Sequence, residues 1–126
     1  MLLEEQQDFR PRVFSTLRDP NTPWTPIDPE RAVSERWGNV GIPLPVILDE
    51  FTRERADSVA QLRAIEPTAD WSRTYTARNG PPLSAGQLLA CWAAHVALHL
   101  RQIAKRLHQL AERDASWLDL GDAGDL

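Results

Sequence analysis

A chain of 126 residues and 14.2 kDa has room for one domain of ordinary size. Its 42% apolar and 25% charged residues are those of a globular protein, which excludes a collagen-like repeat, a disulfide scaffold and disorder throughout. Eighteen acidic residues against fourteen basic ones give a net charge of −4, the wrong sign for the basic footprint of a nucleic-acid-binding surface.

Helical patterning dominates, and the sequence is read as all-α. In the first segment, about Leu2 to Leu17, Leu2, Phe9, Val13, Phe14 and Leu17 recur at helical spacings. Pro11 lies inside it, removing a backbone donor and crowding the preceding turn, so a kink or restart is expected near Arg10. From Arg18 to Pro45 six prolines punctuate the chain, which predicts a long extended connection, and Trp24, Ile27 and Trp37 argue that it is packed down. The second strong helix is expected from about Leu44 to Ile65, with Leu44, Leu48, Phe51, Val59, Leu62 and Ile65 on one stripe interrupted by Arg55. Glu66-Pro67 ends it, because a residue before proline avoids helical backbone angles.

A short polar link with Trp71 and Tyr75 leads to the turn Asn79-Gly80-Pro81-Pro82. Ser84, with Gln87 three residues on, has the form of a capping box and opens a third helix that should reach about Arg113. Leu88, Trp92, His95, His99, Gln102 and Ile103 fall on its expected inward stripe. The acidic tail 114–126 is expected to fray, leaving 1–113 as the folded domain. The aromatic residues of the connections, Trp24, Trp37, Trp71 and Tyr75, suit plugging an open end of a bundle better than lining a substrate pocket.

A single cysteine, Cys91, allows no intramolecular disulfide and fits a reducing compartment, so a cytoplasmic setting is expected. The N-terminus MLLEEQQDFRPR is acidic and lacks a long apolar run, unlike a signal or transit peptide. The least charged stretch, Gly80 to Leu100, carries Pro81, Pro82, Gln87 and two histidines, so no membrane span is expected.

The chemistry concentrates in His95-Val96-Ala97-Leu98-His99. Four residues advance an α-helix by roughly 6 Å and bring both imidazoles out on the same face, where they can converge on one divalent ion. The alternative is a pair of core-edge histidines, each bonded to a carbonyl or to water. A third ligand must come from elsewhere. Cys91 stands roughly 12 Å along the axis from His99, too far to share an ion with it, and reads best as an ordinary buried small residue. His108 reads as a surface histidine near the helix end. Glu4, Glu5 and Asp8 are the remaining oxygen candidates, and each also suits a solvated N-terminal turn.

The run LSAGQLLACWAAHVALHLRQIAKRL resembles the last core helix of the DinB-like superfamily, with its H-x-x-x-H-x-x-Q-I pattern at His95, His99, Gln102 and Ile103. The stretch DFRPRVFSTLRDPNTPWTPIDPE is similar to the family's second helix and proline-rich crossover, so the resemblance runs from about Leu2 to Leu110. It implies an antiparallel four-helix bundle in an up-down-down-up arrangement, here with about three main helices. It also implies a three-histidine divalent-metal site and, in some members, thiol-dependent transferase or isomerase chemistry. His95 and His99 match the two ligands of the last helix. The family's third histidine precedes an acidic pair that looks like Glu4-Glu5, which puts it at or before Met1, and the family's first helix would lie further upstream still.

The chain therefore reads as a DinB-like bundle short of its N-terminal helix, with His95, His99 and Glu5 or water as the expected ligands of zinc, nickel, iron or manganese. A low-molecular-weight thiol is the expected cosubstrate. Apolar stripes left uncovered by the absent helix predict a homodimer. The competing expectation is a non-catalytic helical bundle or interaction protein in which the histidines are a remnant.

Overall fold

The computed structural model describes residues 2–37 and 41–115. Within them lie five helices and one pair of short strands: α1 (Leu2–Gln6), α2 (Phe9–Arg18), α3 (Pro29–Trp37), α4 (Leu44–Ile65), β1 (Thr74–Tyr75), β2 (Leu83–Ser84) and α5 (Ala85–Asp114). The protein is all-α with a minimal antiparallel ribbon, as the sequence pattern predicts. It forms two compact units, Met1–Trp92 and Ala93–Leu126, whose boundary falls within α5. Among the described residues, no helix is long and apolar enough to cross a membrane.

The first helical segment does break, but two residues ahead of the expected place. Pro11 cannot donate to the carbonyl four residues back, that of Gln7, and its ring would crowd it. The chain therefore restarts upstream, so that Pro11 falls in the first turn of α2, where amide donors have no intrahelical partner. At the break both Gln7 and Asp8 donate their amides to the Leu3 carbonyl, at 2.8 and 3.2 Å.

In the first unit, α1 and α2 lie beside α4 and run in the same direction. Gln6 Nε2 donates to Glu50 Oε1 at 3.1 Å and Glu54 Oε1 at 3.2 Å, and Arg10 further along donates to Glu54 Oε2 at 2.8 Å and Ser58 Oγ at 3.2 Å. Parallel neighbours cannot be joined by a tight turn, because the chain must travel back the length of a helix, and this explains the long crossover. The crossover is not wholly extended, however. It contains α3, started by Asp28-Pro29-Glu30: the Asp28 carboxylate accepts from the Arg31 amide at 3.1 Å, Pro29 supplies a preset first helical residue, and Arg31 pairs with Glu35 at 2.6 Å. The side chain of Trp37, expected to pack, lies outside the described residues.

Trp24 does pack down. Its ring stacks on Tyr75 with centroids 4.0 Å apart, its Nε1 donates to Thr16 Oγ1 at 3.2 Å, and Arg12 lies 5.1 Å above it. The flanking loops are closed by carboxylates. Asp19 accepts from the Asn21 amide and the Thr22 hydroxyl, and Asp70 accepts from the hydroxyl and amide of Ser72; these bonds hold both carboxyl groups below the usual range.

The polar link of the sequence reading contains the β1–β2 ribbon, in which Thr74 pairs with Ser84 and Tyr75 with Leu83. At its end the capping box forms as expected: Gln87 N donates to Ser84 Oγ at 3.1 Å while Ser84 N donates to Gln87 Oε1 at 2.9 Å. Just beyond, the Gly86 amide donates to the Trp71 carbonyl at 3.0 Å, and a Cβ on Gly86 would stand 3.3 Å from that same oxygen, so the close approach favours glycine. Ser84→Ala removes one half of the box and is expected to cost about 1 kcal/mol in a urea titration, against almost nothing for Ser84→Thr. An equal loss in both variants would deny the cap its role.

The core of the first unit gathers where α2, α4 and the opening of α5 meet. Val13, Ala85, Leu88 and Trp92 are buried there, and Phe9 stacks parallel to Trp92 at 6.5 Å. The α4 stripe is less covered than its periodicity suggests: Phe51, Val59, Leu62 and Ile65 are half-buried, but Leu44 and Leu48 are 64% and 52% exposed. The tail segment from Ser116 onwards, expected to fray, lies outside the described residues.

Candidate metal centre

Helix α5 carries His95 and His99 because its alanine- and leucine-rich sequence holds an uninterrupted helix over thirty residues. One turn apart, the two half-buried rings approach with centroids 4.5 Å apart and planes at 84°. His99 Nδ1 lies 3.1 Å from Gln102 Oε1. An amide oxygen can only accept, so this contact favours the tautomer with the proton on Nδ1 and the lone pair on Nε2. Metal-binding histidines are commonly oriented in this way by an acceptor on the opposite ring nitrogen. Gln102 itself is exposed, and Ile103, expected to point inward, is 47% exposed, being one residue and about 100° further round the helix.

The other sequence candidates have different surroundings. Glu5 belongs to the first unit and is fully buried. Its Oε2 accepts from Ser58 Oγ, and its Oε1 lies 2.5 Å from Arg55 Nη2 as an ion pair, although these two atoms do not meet in hydrogen-bond alignment. Arg55 also sits above the rings of Phe51 and Trp92, at 5.5 and 5.4 Å. Asp8 pairs with Arg12 at 2.6 Å, and His108 Nε2 lies 3.4 Å from Glu112 one turn on, a helix-end contact as its position suggests. The Glu4 side chain is outside the described residues. Cys91, read from sequence as buried, is exposed: Trp92 holds the buried face, and one step back along the helix turns Cys91 away from it.

Among the described residues, no group of three or more His, Cys, Asp or Glu side chains is placed to hold a metal ion. His95 and His99 are thus two imidazoles on one face of α5, and the carboxylate of Glu5 is already engaged by a cation and a hydroxyl. Sequence reasoning missed what Arg55 and Ser58 do for Glu5. The signal was there in Arg55, a charge set within an apolar stripe, which in a packed interface calls for a buried counter-charge.

An all-α chain with a parallel helix pair, a proline-rich crossover and a last helix bearing histidines one turn apart defines a class of helical-bundle proteins. Residues 2–103 match the DinB superfamily, and the chain belongs to it. The match takes in the crossover, α4 and α5 as far as His95, His99, Gln102 and Ile103. No curated protein and no solved structure matches the chain.

Proposed function

We propose that this chain is a divalent-metal-binding member of the superfamily in which His95 and His99 supply two ligands to zinc, nickel, iron or manganese. The observation that carries the reading is the approach of the two rings on α5, with Gln102 against the Nδ1 of His99. With Glu5 held by Arg55 and Ser58, water completes the ligand set in this reading. The ion, when bound, supplies Lewis acidity that favours the thiolate form of a thiol at neutral pH. A low-molecular-weight thiol is accordingly the cosubstrate class, and S-transfer in a reducing cytoplasm the reaction class. The chain's own residues contribute ligand placement: the helix sets the spacing of His95 and His99, and Gln102 sets the ring orientation of His99.

The engagement of Glu5 favours a second reading, a helical interaction module without catalysis. One experiment separates the two. The protein is purified without chelator, its content of zinc, nickel, iron and manganese is measured, and the measurement is repeated for His95→Ala, His99→Ala and Gln102→Ala. Stoichiometric metal in the native chain is expected, lost in either histidine variant and weakened about 10- to 100-fold in affinity without Gln102. Traces of metal indifferent to all three changes would leave the interaction module standing.

A further inference from the structure

We propose that the C-terminal half of α5 is a docking surface for a second copy of this chain, paired in parallel along the seam Val96, Leu100, Ile103, Leu107 and Leu110. This goes beyond the metal reading and does not depend on it. These five residues follow one another at alternating steps of four and three, a period of 3.5 that keeps a single apolar line facing a partner helix. Along that line in the second unit Leu100 is 56%, Ile103 47% and Leu107 62% exposed, and Val96 and Leu110 are half-buried. Exposed apolar surface of this regularity marks an interaction site.

The residues beside the seam argue for the occupant and its direction. One flank is alanine at every seventh position, Ala97, Ala104 and Ala111, and the other is His99, Arg106 and Arg113. In an antiparallel pair like flanks would meet, setting Arg106 and Arg113 of one copy against those of the other. In a parallel pair about a two-fold axis Arg106 and Arg113 of each copy lie over the partner's alanines. Like charges stay apart, the aliphatic stems of arginine cover the methyl groups, and the small flank lets the helices approach closely. The same line therefore complements itself, without an acidic partner. Two such seams would bury roughly 1,000 Å² in total, which reaches the lower bound for a specific interface.

The test uses the full chain. Light scattering across a concentration series is expected to give the mass of two chains. Leu107→Glu combined with Leu110→Glu should halve it while leaving helical circular dichroism and metal content unchanged, since both side chains lie more than two helical turns beyond His99. In a Cys91→Ser background, Leu110→Cys should cross-link two chains under oxidised glutathione, because parallel pairing sets the two sulfurs opposite one another. A one-chain mass for the native protein at the highest concentration would overturn the proposal. So would a two-chain mass persisting in the double glutamate variant, or a dimer that the cysteine fails to cross-link. His95→Ala and His99→Ala should retain the two-chain mass, so loss of metal and loss of pairing are read separately.

Discussion

Arg55→Ala is expected to destabilise the fold by about 3–5 kcal/mol, the usual cost of stranding one member of a buried ion pair. Glu5 is fully buried and Ser58 is 1% exposed, so removing the guanidinium leaves a carboxylate bonded to a neutral hydroxyl, with Arg10 reaching that hydroxyl and not the carboxylate. The same substitution strips the cation from the faces of Phe51 and Trp92, each contact contributing about 0.5–1 kcal/mol in such settings. A small domain has about 5–15 kcal/mol of stability in all, so the loss is a large fraction of it and should lower the urea midpoint by about 2 M. The penalty belongs to the stranded charge, and a double replacement makes that visible. Glu5→Leu with Arg55→Met removes both charges and keeps side-chain bulk, and most of the lost stability should return. If the double variant is as unstable as Arg55→Ala, the pair is attractive beyond its desolvation cost. If Arg55→Ala behaves as a surface change, within about 0.5 kcal/mol of the native chain, the ion pair does not matter to folding.

This pair also shows where sequence reasoning reaches and where it stops. The bounds of α4 were legible because proline-rich sequence opens it and Glu66-Pro67 closes it, both local effects. The opening of α5 was legible for the same reason, through the Ser84–Gln87 box. The break before α2 was displaced because proline acts on the carbonyl four residues earlier, so the disruption appears upstream of the residue that causes it. The α3 helix was missed although Asp28-Pro29-Glu30 is a proper helix start, since the surrounding prolines dominated the pattern. At the candidate site, the spacing of His95 and His99 is a property of one helix and could be read directly. The engagement of Glu5 depends on residues fifty positions away, and periodicity carries no information about which buried charge meets which. Likewise the exposure of Leu44, Leu48 and Ile103 records which elements lie against them, whereas their spacing records only that they share a helix.

Trp92→Ala is expected to cost about 3–5 kcal/mol, because the indole is the largest fully buried side chain described and several elements close on it. Phe9 of α2 stacks on one side and Arg55 of α4 lies over the ring, so truncation leaves a cavity between helices that the backbone cannot readily collapse. Trp92→Phe separates packing from polarity. Trp92 Nε1 is buried without a hydrogen-bond partner among the described residues, and a buried donor in that condition costs about 1–3 kcal/mol. Phenylalanine keeps an aromatic face toward Phe9 and Arg55 and deletes the donor, while sacrificing part of the ring volume. The two terms oppose each other and are similar in size, so Trp92→Phe should lie within about 1.5 kcal/mol of the native protein, in either direction. Urea titrations followed by far-ultraviolet circular dichroism measure both variants on one scale. A phenylalanine variant as unstable as the alanine one would mean that the indole N–H is bonded in solution, and that the polarity of Trp92, as well as its bulk, holds α5 against α2 and α4.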